Sequence, residues 1–280
     1  MDTGATVRVV TWNVARLFDP VCDSGSCAKG DFEAAPSSEA FQARVDRLGT
    51  VLESLDADIL LLQEVESRAC MEALAGRLGP SYSVAHLAET GKPGSLDVGV
   101  LARGSLKEIR GHRDRFLPRP GGGRTRFSRE LLEMHLELNG HPVVVFSAHF
   151  RSKRRDDPGK RLAEARAAHD ILLRTALDRP EALVILGGDL NDVPGSPPLD
   201  ALLQGDQLKR VAADIPDRGD WTHSYRGKRQ ALDHLLWAPT PGGAYRAGSA
   251  RAVRLPQGKD RESDHAPLVA EFSLLTPGDP

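Results

Sequence analysis

Several things are scarce in this 280-residue chain, and each scarcity removes a class of function. It has three cysteines, and none shows the paired Cys/His spacing of a zinc site. No apolar run approaches the ~20 residues of a membrane span, so no membrane partner is expected. The opening residues, Met1-Asp2-Thr3-Gly4-Ala5-Thr6, lack a charged start and an apolar stretch, so no signal peptide is visible. That fits a cytoplasmic protein if Met1 is native, and an exported one if a signal has been removed. There is no internal repeat, no low-complexity segment and no linker. With 40% hydrophobic and 27% charged residues, the simplest reading is one large α/β domain over residues 1–280.

An excess of charge is also missing. The net charge of −2 excludes a globally basic nucleic-acid binder, but the basic residues are clustered. Residues 110–129 hold seven arginines against one acid, Asp114. Arg151, Lys153, Arg154 and Arg155 form a second group; Arg226, Lys228 and Arg229 form a third. These are solvated loops or the basic rim of a polyanion site. Cys22 and Cys27 lie in a Gly/Ser loop and can form a small disulfide if the protein is exported, whereas Cys70 falls on an expected helix and reads as buried.

Apolar periodicity lays out the elements. Residues 7–13 alternate and are β-branched, a strand; residues 19–37 are a long Gly/Ser/Asp/Pro loop. Ser38 caps a helix with Phe41, Val45, Leu48, Leu52 and Leu55 on one face. A strand at 57–62 ends in Gln63-Glu64, a helix follows at 66–78, and strands at 81–87 and 97–102 flank a Gly/Pro turn. After an arginine-rich loop, Leu132, Met134, Leu136 and Leu138 alternate with Glu133, His135 and Glu137, so the polar set is expected outside. Asn139-Gly140 is a hairpin turn, and the return strand ends at His149. Leu162, Ala165, His169, Leu172 and Ala176 stripe the next helix. Residues 182–186 form a buried strand, followed by Gly187 and Gly188, which allow a tight turn or a close approach. A short helix from Pro197 and strands at 232–237 and 268–272 complete the chain.

Asn13, Glu64, His149 and Asp189 each end a separate apolar strand, the edge where α/β sheets collect ligands. Asp233 and Asp264-His265 flank the last strands. Carboxylate and amide oxygens with few nitrogens suit Mg²⁺, Mn²⁺ or Ca²⁺ better than zinc. Such a cation beside histidines and basic groups is equipment for phosphoester hydrolysis.

At these residues the chain resembles the endonuclease/exonuclease/phosphatase superfamily, the fold of deoxyribonuclease I. The matching pieces, in the family's order, are Thr11-Trp12-Asn13-Val14, Leu62-Gln63-Glu64-Val65, Phe127-Ser128-Arg129-Glu130, Ser147-Ala148-His149-Phe150, Gly188-Asp189-Leu190-Asn191-Asp192, Leu232-Asp233-His234 and Ser263-Asp264-His265-Ala266-Pro267. The resemblance implies an α/β four-layer sandwich, two mixed sheets face to face with helices outside. It implies Glu64 as main metal ligand, assisted by Asn13 and Asp264. Asp189 orients the attacking water and Asn191 steadies the scissile phosphate. His265 contacts that phosphate with Asp233 fixing its tautomer, and His149 helps protonate the leaving oxygen. Arg129, Arg151 and Lys153 would grip substrate phosphates.

Each residue alone has a plainer reading. Asn13 can cap a turn, Asp189 and Asn191 can form an Asx-turn, His149 can be a core histidine, and Arg129 can pair with Glu130. His169, His135 and His234 read as structural, and Asp192 as a bystander. Trp221 and Tyr225 either stack on a base or pack at the rim. Ala15 stands where some repair nucleases carry an acid, and no inositol-phosphatase signature is present. The leading expectation is a monomeric, divalent-metal-dependent phosphodiesterase acting on nucleic acid, DNA foremost, as an endonuclease. A phosphomonoesterase or small-molecule phosphodiesterase is the alternative, and a non-catalytic binding module the third.

Overall fold

A computed structural model describes residues 5–216, 219–225, 227–255 and 262–275; Arg226, in the third basic group, lies outside them. The elements carrying the argument are β1 (Thr6–Leu17), α1 (Ser38–Leu55), β2 (Ile59–Val65), α2 (Arg68–Leu78), β3 (Val84–Ala88), β4 (Asp97–Ala102), β5 (Ser105–Gly111), β6 (Leu132–Leu138), β7 (His141–His149), α3 (Pro158–Asp178), β8 (Leu183–Asp189), α4 (Pro197–Leu202), β9 (Lys209–Arg210), β10 (Asp233–Ala238), β11 (Gly243–Tyr245) and β12 (Leu268–Leu274). A seven-stranded sheet runs β11-β12-β1-β2-β4-β3, with Arg251–Ala252 added on β12. A six-stranded sheet runs β9-β10-β8-β7-β6-β5. Both are mixed: β1/β2 and β7/β8 are parallel, and their other neighbours antiparallel.

Side-chain alternation turns two sheets into four layers. Val9, Leu61, Val100, Val145, Ile185 and Leu235 point into one core shared by the two sheets. Val10, Trp12, Leu60 and Leu62 point the other way and pack under α1 and α2. Val144, Phe146, Val184 and Leu186 do the same beneath α3 and α4. Strands buried on both faces must be continuously apolar, which is why residues 182–186 show no polar alternation.

Several local expectations shift. The cap of α1 is Ser37, whose side chain accepts from the Ala40 N–H, and α2 begins at Arg68 behind the cap Ser67. Ser105–Gly111, within the region read as loop, is an edge strand; its mostly exposed side chains give no apolar period. Glu133 and His135 are not outside: both are buried, because the polar face of β6 is covered too. Glu133 sits between His112 and His135 at 2.7 and 2.6 Å, which satisfies its charge. On α3, Arg161 and Glu164 share the buried side with Ala165 and Leu172.

Gly187 and Gly188 make no turn, since β8 runs through them to Asp189. A Cβ on Gly188 would collide with the Ala148 carbonyl of the adjacent strand. One on Gly187 would sit 2.8 Å from Leu235 Cδ2 and 3.2 Å from Thr11 Cβ across the core. Close approach is what these glycines supply. Cys22 and Cys27 are joined in a disulfide, and Cys70 is a buried free thiol.

Candidate active site

The register of the six-stranded sheet assembles the first part of the site. Asp189 lies opposite His149 on β7 and opposite Asp233 on β10, so three strand ends deliver three titratable groups to one spot. The parallel β1/β2 pair of the other sheet places Asn13 beside Gln63. β1 pairs with β12 from Thr11↔Leu268, which puts Asp264-His265 just beyond that edge.

Asp189 is the hub. Its Oδ2 accepts from Asn13 Nδ2 at 3.0 Å and faces His149 Nε2 at 3.5 Å and His265 Nε2 at 3.8 Å. Its Oδ1 accepts from the Asn191 backbone N–H at 2.9 Å, an Asx-turn that coexists with the site. Burial first, and the nearby Asp233 charge, push its pKa up to about 6, against the pull of His265, Asn13 and Asn191. Asn191 itself, with a left-handed φ of 54°, donates from Nδ2 to the Phe150 carbonyl at 3.1 Å.

His265 is held from three sides. Its Nδ1 is 2.7 Å from Asp233 Oδ2, its N–H donates to Ser263 Oγ at 3.0 Å, and its carbonyl accepts from Trp12 Nε1 at 3.0 Å. Burial alone would lower its pKa; Asp233, then Asp189, overcome that and hold it at about 10. Asp189, Asp233 and His265 could in principle offer a metal three atoms within 4.8 Å. The short Asp233–His265 bond and the imidazolium it stabilises leave His265 no lone pair, so these three form a proton-holding chain rather than a metal cage. His149 differs: burial, then the charges of Arg129 and His265, drive its pKa well down, so it is the neutral histidine.

A cleft of about 450 Å³ opens beside this chain, lined by Glu64, Asp264, His265, Arg16 and Arg44. Glu64 sits at a bulge with φ of 64°, a strained conformation for a non-glycine residue, and its Oε2 accepts from the Arg16 N–H at 3.0 Å. The nearby His223 imidazole, then the charge of His265, hold Asp264 down at about 2, so it is ionised. Asn13 Oδ1 accepts from the Ala15 N–H at 3.0 Å and keeps a second lone pair. All these donors are oxygens, two of them from carboxyl groups, which fits a hard divalent cation and offers nothing to a soft one.

The basic residues are placed differently from one another. Arg129 Nε donates to the Leu96 carbonyl at 2.9 Å and has no ion pair with Glu130, which instead accepts from the His112 and Arg113 N–H groups. Burial lowers its pKa, and the main charges opposing that are Glu64 and Asp189, so Arg129 faces the site. Arg151 donates to the Arg155 carbonyl at 2.8 Å, leaving a buried Nε unpartnered. Lys153 is tied to Asp192 at 2.8 Å, and Arg161 pairs with the same carboxylate at 2.8 Å. Asp192, read as a bystander, therefore anchors two cations. His223 was missed by sequence reasoning: its ring lies 4.7 Å from that of His265 and its Nε2 is 3.7 Å from Asp264. No local pattern marks it. His169 and His234 are bonded to backbone carbonyls at 2.9 Å each, which is a structural role. Trp221 has Arg254 at 3.6 Å and Arg229 at 4.8 Å over its ring, while Tyr225 is exposed.

Residues 10–265 match the profile of the Endonuclease/Exonuclease/phosphatase family. The chain belongs to that family. Enzymes of the family are phosphoric ester hydrolases that commonly use divalent metals. Among solved structures, D. rerio TDP2 complexed with single-strand DNA product shares 16% identity and a TM-score of 0.68, over 96% of this chain and 99% of that one. A family protein of Bacteroides thetaiotaomicron shares 15% identity and a TM-score of 0.69, over 96% and 95%. The human Nocturnin catalytic domain with bound sulfate shares 19% identity and a TM-score of 0.65, over 96% and 93%. These likenesses show the deoxyribonuclease I-like fold. No curated protein matches by sequence.

Proposed function

We propose that this family member is a divalent-metal-dependent phosphodiesterase that hydrolyses nucleic acid, DNA in preference, by internal cleavage. The observation that carries the reading is the Asp233–His265–Asp189 chain at one end of both sheets, beside a cleft lined by the carboxylates Glu64 and Asp264. Asp189, buried and ringed by donors, takes the proton of a water that attacks phosphorus in line. His265, cationic through Asp233, donates from Nε2 to a non-bridging oxygen. The remaining amide N–H of Asn191 is a second donor there, and Arg129 faces the phosphate's charge. His149 is neutral, so it orients by hydrogen bonding, and the leaving oxygen takes its proton from solvent water while Asp189 returns the one it accepted to solvent. Glu64 with Asp264 and Asn13 would hold Mg²⁺, with Mn²⁺ or Ca²⁺ as substitutes, and that ion would neutralise phosphate charge.

Nucleic acid is favoured by the arginine-rich 110–129 segment and by Arg151 and Lys153 beside the site. The D. rerio neighbour complexed with single-strand DNA product supports the same substrate class. The protein is proposed to act as a monomer. The Cys22–Cys27 disulfide supports an exported protein. The test is cleavage of supercoiled plasmid, single-stranded DNA and RNA with Mg²⁺, Mn²⁺ or Ca²⁺, against EDTA and Asp189→Asn. Equal activity, or equal inertness, of wild type and variant on every polynucleotide would sink the reading.

The net charge of −2 and the arginine-covered faces of Trp221 favour a second reading, a small phosphoester substrate. Salt discriminates: an enzyme gripping several phosphates weakens steeply as salt rises, and one acting on a small phosphoester does not. Metal binding without turnover on a broad phosphoester panel would point to a binding module instead.

A further inference from the structure

In and around the loop between β1 and α1, four carboxylates are buried without an ion pair among the described residues. Asp19, Glu33 and Glu66 are 5%, 2% and 5% exposed, and Asp97, on the first residue of β4, is 1% exposed. None of the four has a basic partner within 4.0 Å among the described residues. Backbone and hydroxyl donors satisfy part of the set. Asp19 N–H donates to Glu66 Oε2 at 2.8 Å, Asp23 and Ser24 N–H groups donate to Glu33 at 2.6 and 2.7 Å, and Thr90 N–H and Ser95 Oγ donate to Asp97 Oδ2 at 2.9 and 2.7 Å.

Two oxygens remain. Glu66 Oε1 and Asp97 Oδ1 are buried and have no hydrogen-bond partner. Both residues line one cavity of about 350 Å³, together with Asp23, Glu89 and a single cation, Lys92. Unpartnered buried carboxylate oxygens are costly, and an acidic wall around them makes the cost greater unless a proton or a cation is present. The nearby Cys70 thiol is occupied with the Leu17 carbonyl and Ser67 Oγ at 3.5 Å each, so the free donors are all oxygen. That chemistry suits a large hard cation that tolerates several oxygens and a few waters.

We propose that this cavity is a second divalent-cation site, separate from the catalytic cleft, that takes Ca²⁺ through Glu66 Oε1 and Asp97 Oδ1, directly or through bound water. It joins three segments: the loop at 18–37, which lines it through Asp23, the end of β2 and the turn before β4. Its occupancy fixes Glu66, whose Oε2 accepts from the Asp19 N–H of the loop, and so clamps the loop onto the edge that carries Glu64, two residues from Glu66. The site stands whatever the enzyme's substrate.

The test uses the whole protein and calcium alone. Lys29 is exposed in the loop, so trypsin cleavage after it reports local opening. With a dissociation constant on the order of 10⁻⁴ M, about 1 mM Ca²⁺ should slow that cleavage about tenfold relative to EDTA. The protection should persist in Glu64→Gln, and equilibrium dialysis of that variant should still find one bound Ca²⁺. It should vanish in Asp97→Asn and in Glu66→Gln, two near-isosteric variants with different backbone settings. Absence of protection in wild type, its loss in Glu64→Gln, or its survival in both cavity variants would overturn the proposal.

Discussion

His265 places one ring nitrogen 2.7 Å from Asp233 and the other 3.8 Å from Asp189, so a single imidazole bridges two buried carboxylates drawn from neighbouring strands. The arrangement explains why two histidines within reach of the same Asp189 differ in charge. His265 has Asp233 behind it and is held at about 10, whereas His149 has a buried Nδ1 without a partner and is driven well down. Removing Asp233 should convert the first histidine into the second. Asp233→Asn is expected to lower kcat/KM by about 10²-fold at neutral pH. The alkaline limb of the pH–rate profile should move to lower pH as His265 loses its anion. Steady-state kinetics from pH 6 to 10 on wild type and variant check this; an unmoved limb rejects the assignment.

Asp189→Asn should separate catalysis from stability. Activity should fall by about 10³-fold or more, the range for loss of a positioned general base. Burial pushes the Asp189 pKa above its unfolded value, so its ionised form is the costly one in the fold and the cost is greatest above about pH 6. The variant should therefore melt at the same temperature as wild type or higher at pH 8. Thermal denaturation at pH 5 and pH 8 checks the sign, with the larger gain expected at pH 8.

His234 sets an acid limit on stability. Burial first, then Arg210, hold its pKa at about 4, below its unfolded value of 6.5. Above 6.5 it is neutral in both states and costs nothing. As pH falls from 6.5 towards 4 the unfolded chain takes a proton that the folded chain refuses, so stability is lost across that window, at most about 1.4 kcal/mol per pH unit. Urea denaturation of His234→Gln against wild type should show a shallower decline between pH 6.5 and 4.5. Parallel curves would reject the contribution.

Gly188 should be intolerant of any side chain. Its Cβ would strike the Ala148 carbonyl, a backbone atom of the paired strand that cannot swing away. Gly188→Ala should cost about 3 kcal/mol or more, at the upper end for overpacking. The control is Gly76→Ala on exposed α2 surface, where the new methyl meets nothing within 4 Å, and which should gain about 0.5–1 kcal/mol. Chemical denaturation of both variants checks the contrast.

Much of the edge that carries the site was legible locally. Asn13, Glu64, His149 and Asp189 each follow a short apolar, β-branched run, and a strand end can be read from its own neighbours. The hairpin at Asn139-Gly140 was legible for the same reason, since both residues take positive φ of 53° and 81°, which asparagine and glycine tolerate. The buried polar face of β6 was not: Glu133 is inside because His112, 21 residues away, and His135 meet it there. Nor was the role of Asp192, whose partners Lys153 and Arg161 are 39 and 31 residues distant.

By itself, then, the sequence determined the apolar core strands and the residues at their ends, though not the exposed edge strand at 105–111 or the buried second face of β6, because backbone period and turn chemistry act over a few residues. Register, and with it which groups meet, belonged to the tertiary structure. Only pairing of β8 with β7 and β10 sets Asp189 against His149 and Asp233, and only the packed environment makes one histidine cationic and another neutral. Charge state depends on desolvation and on neighbours as far as 176 residues apart in the chain, as with Asp189 and Asn13, and no local pattern encodes that.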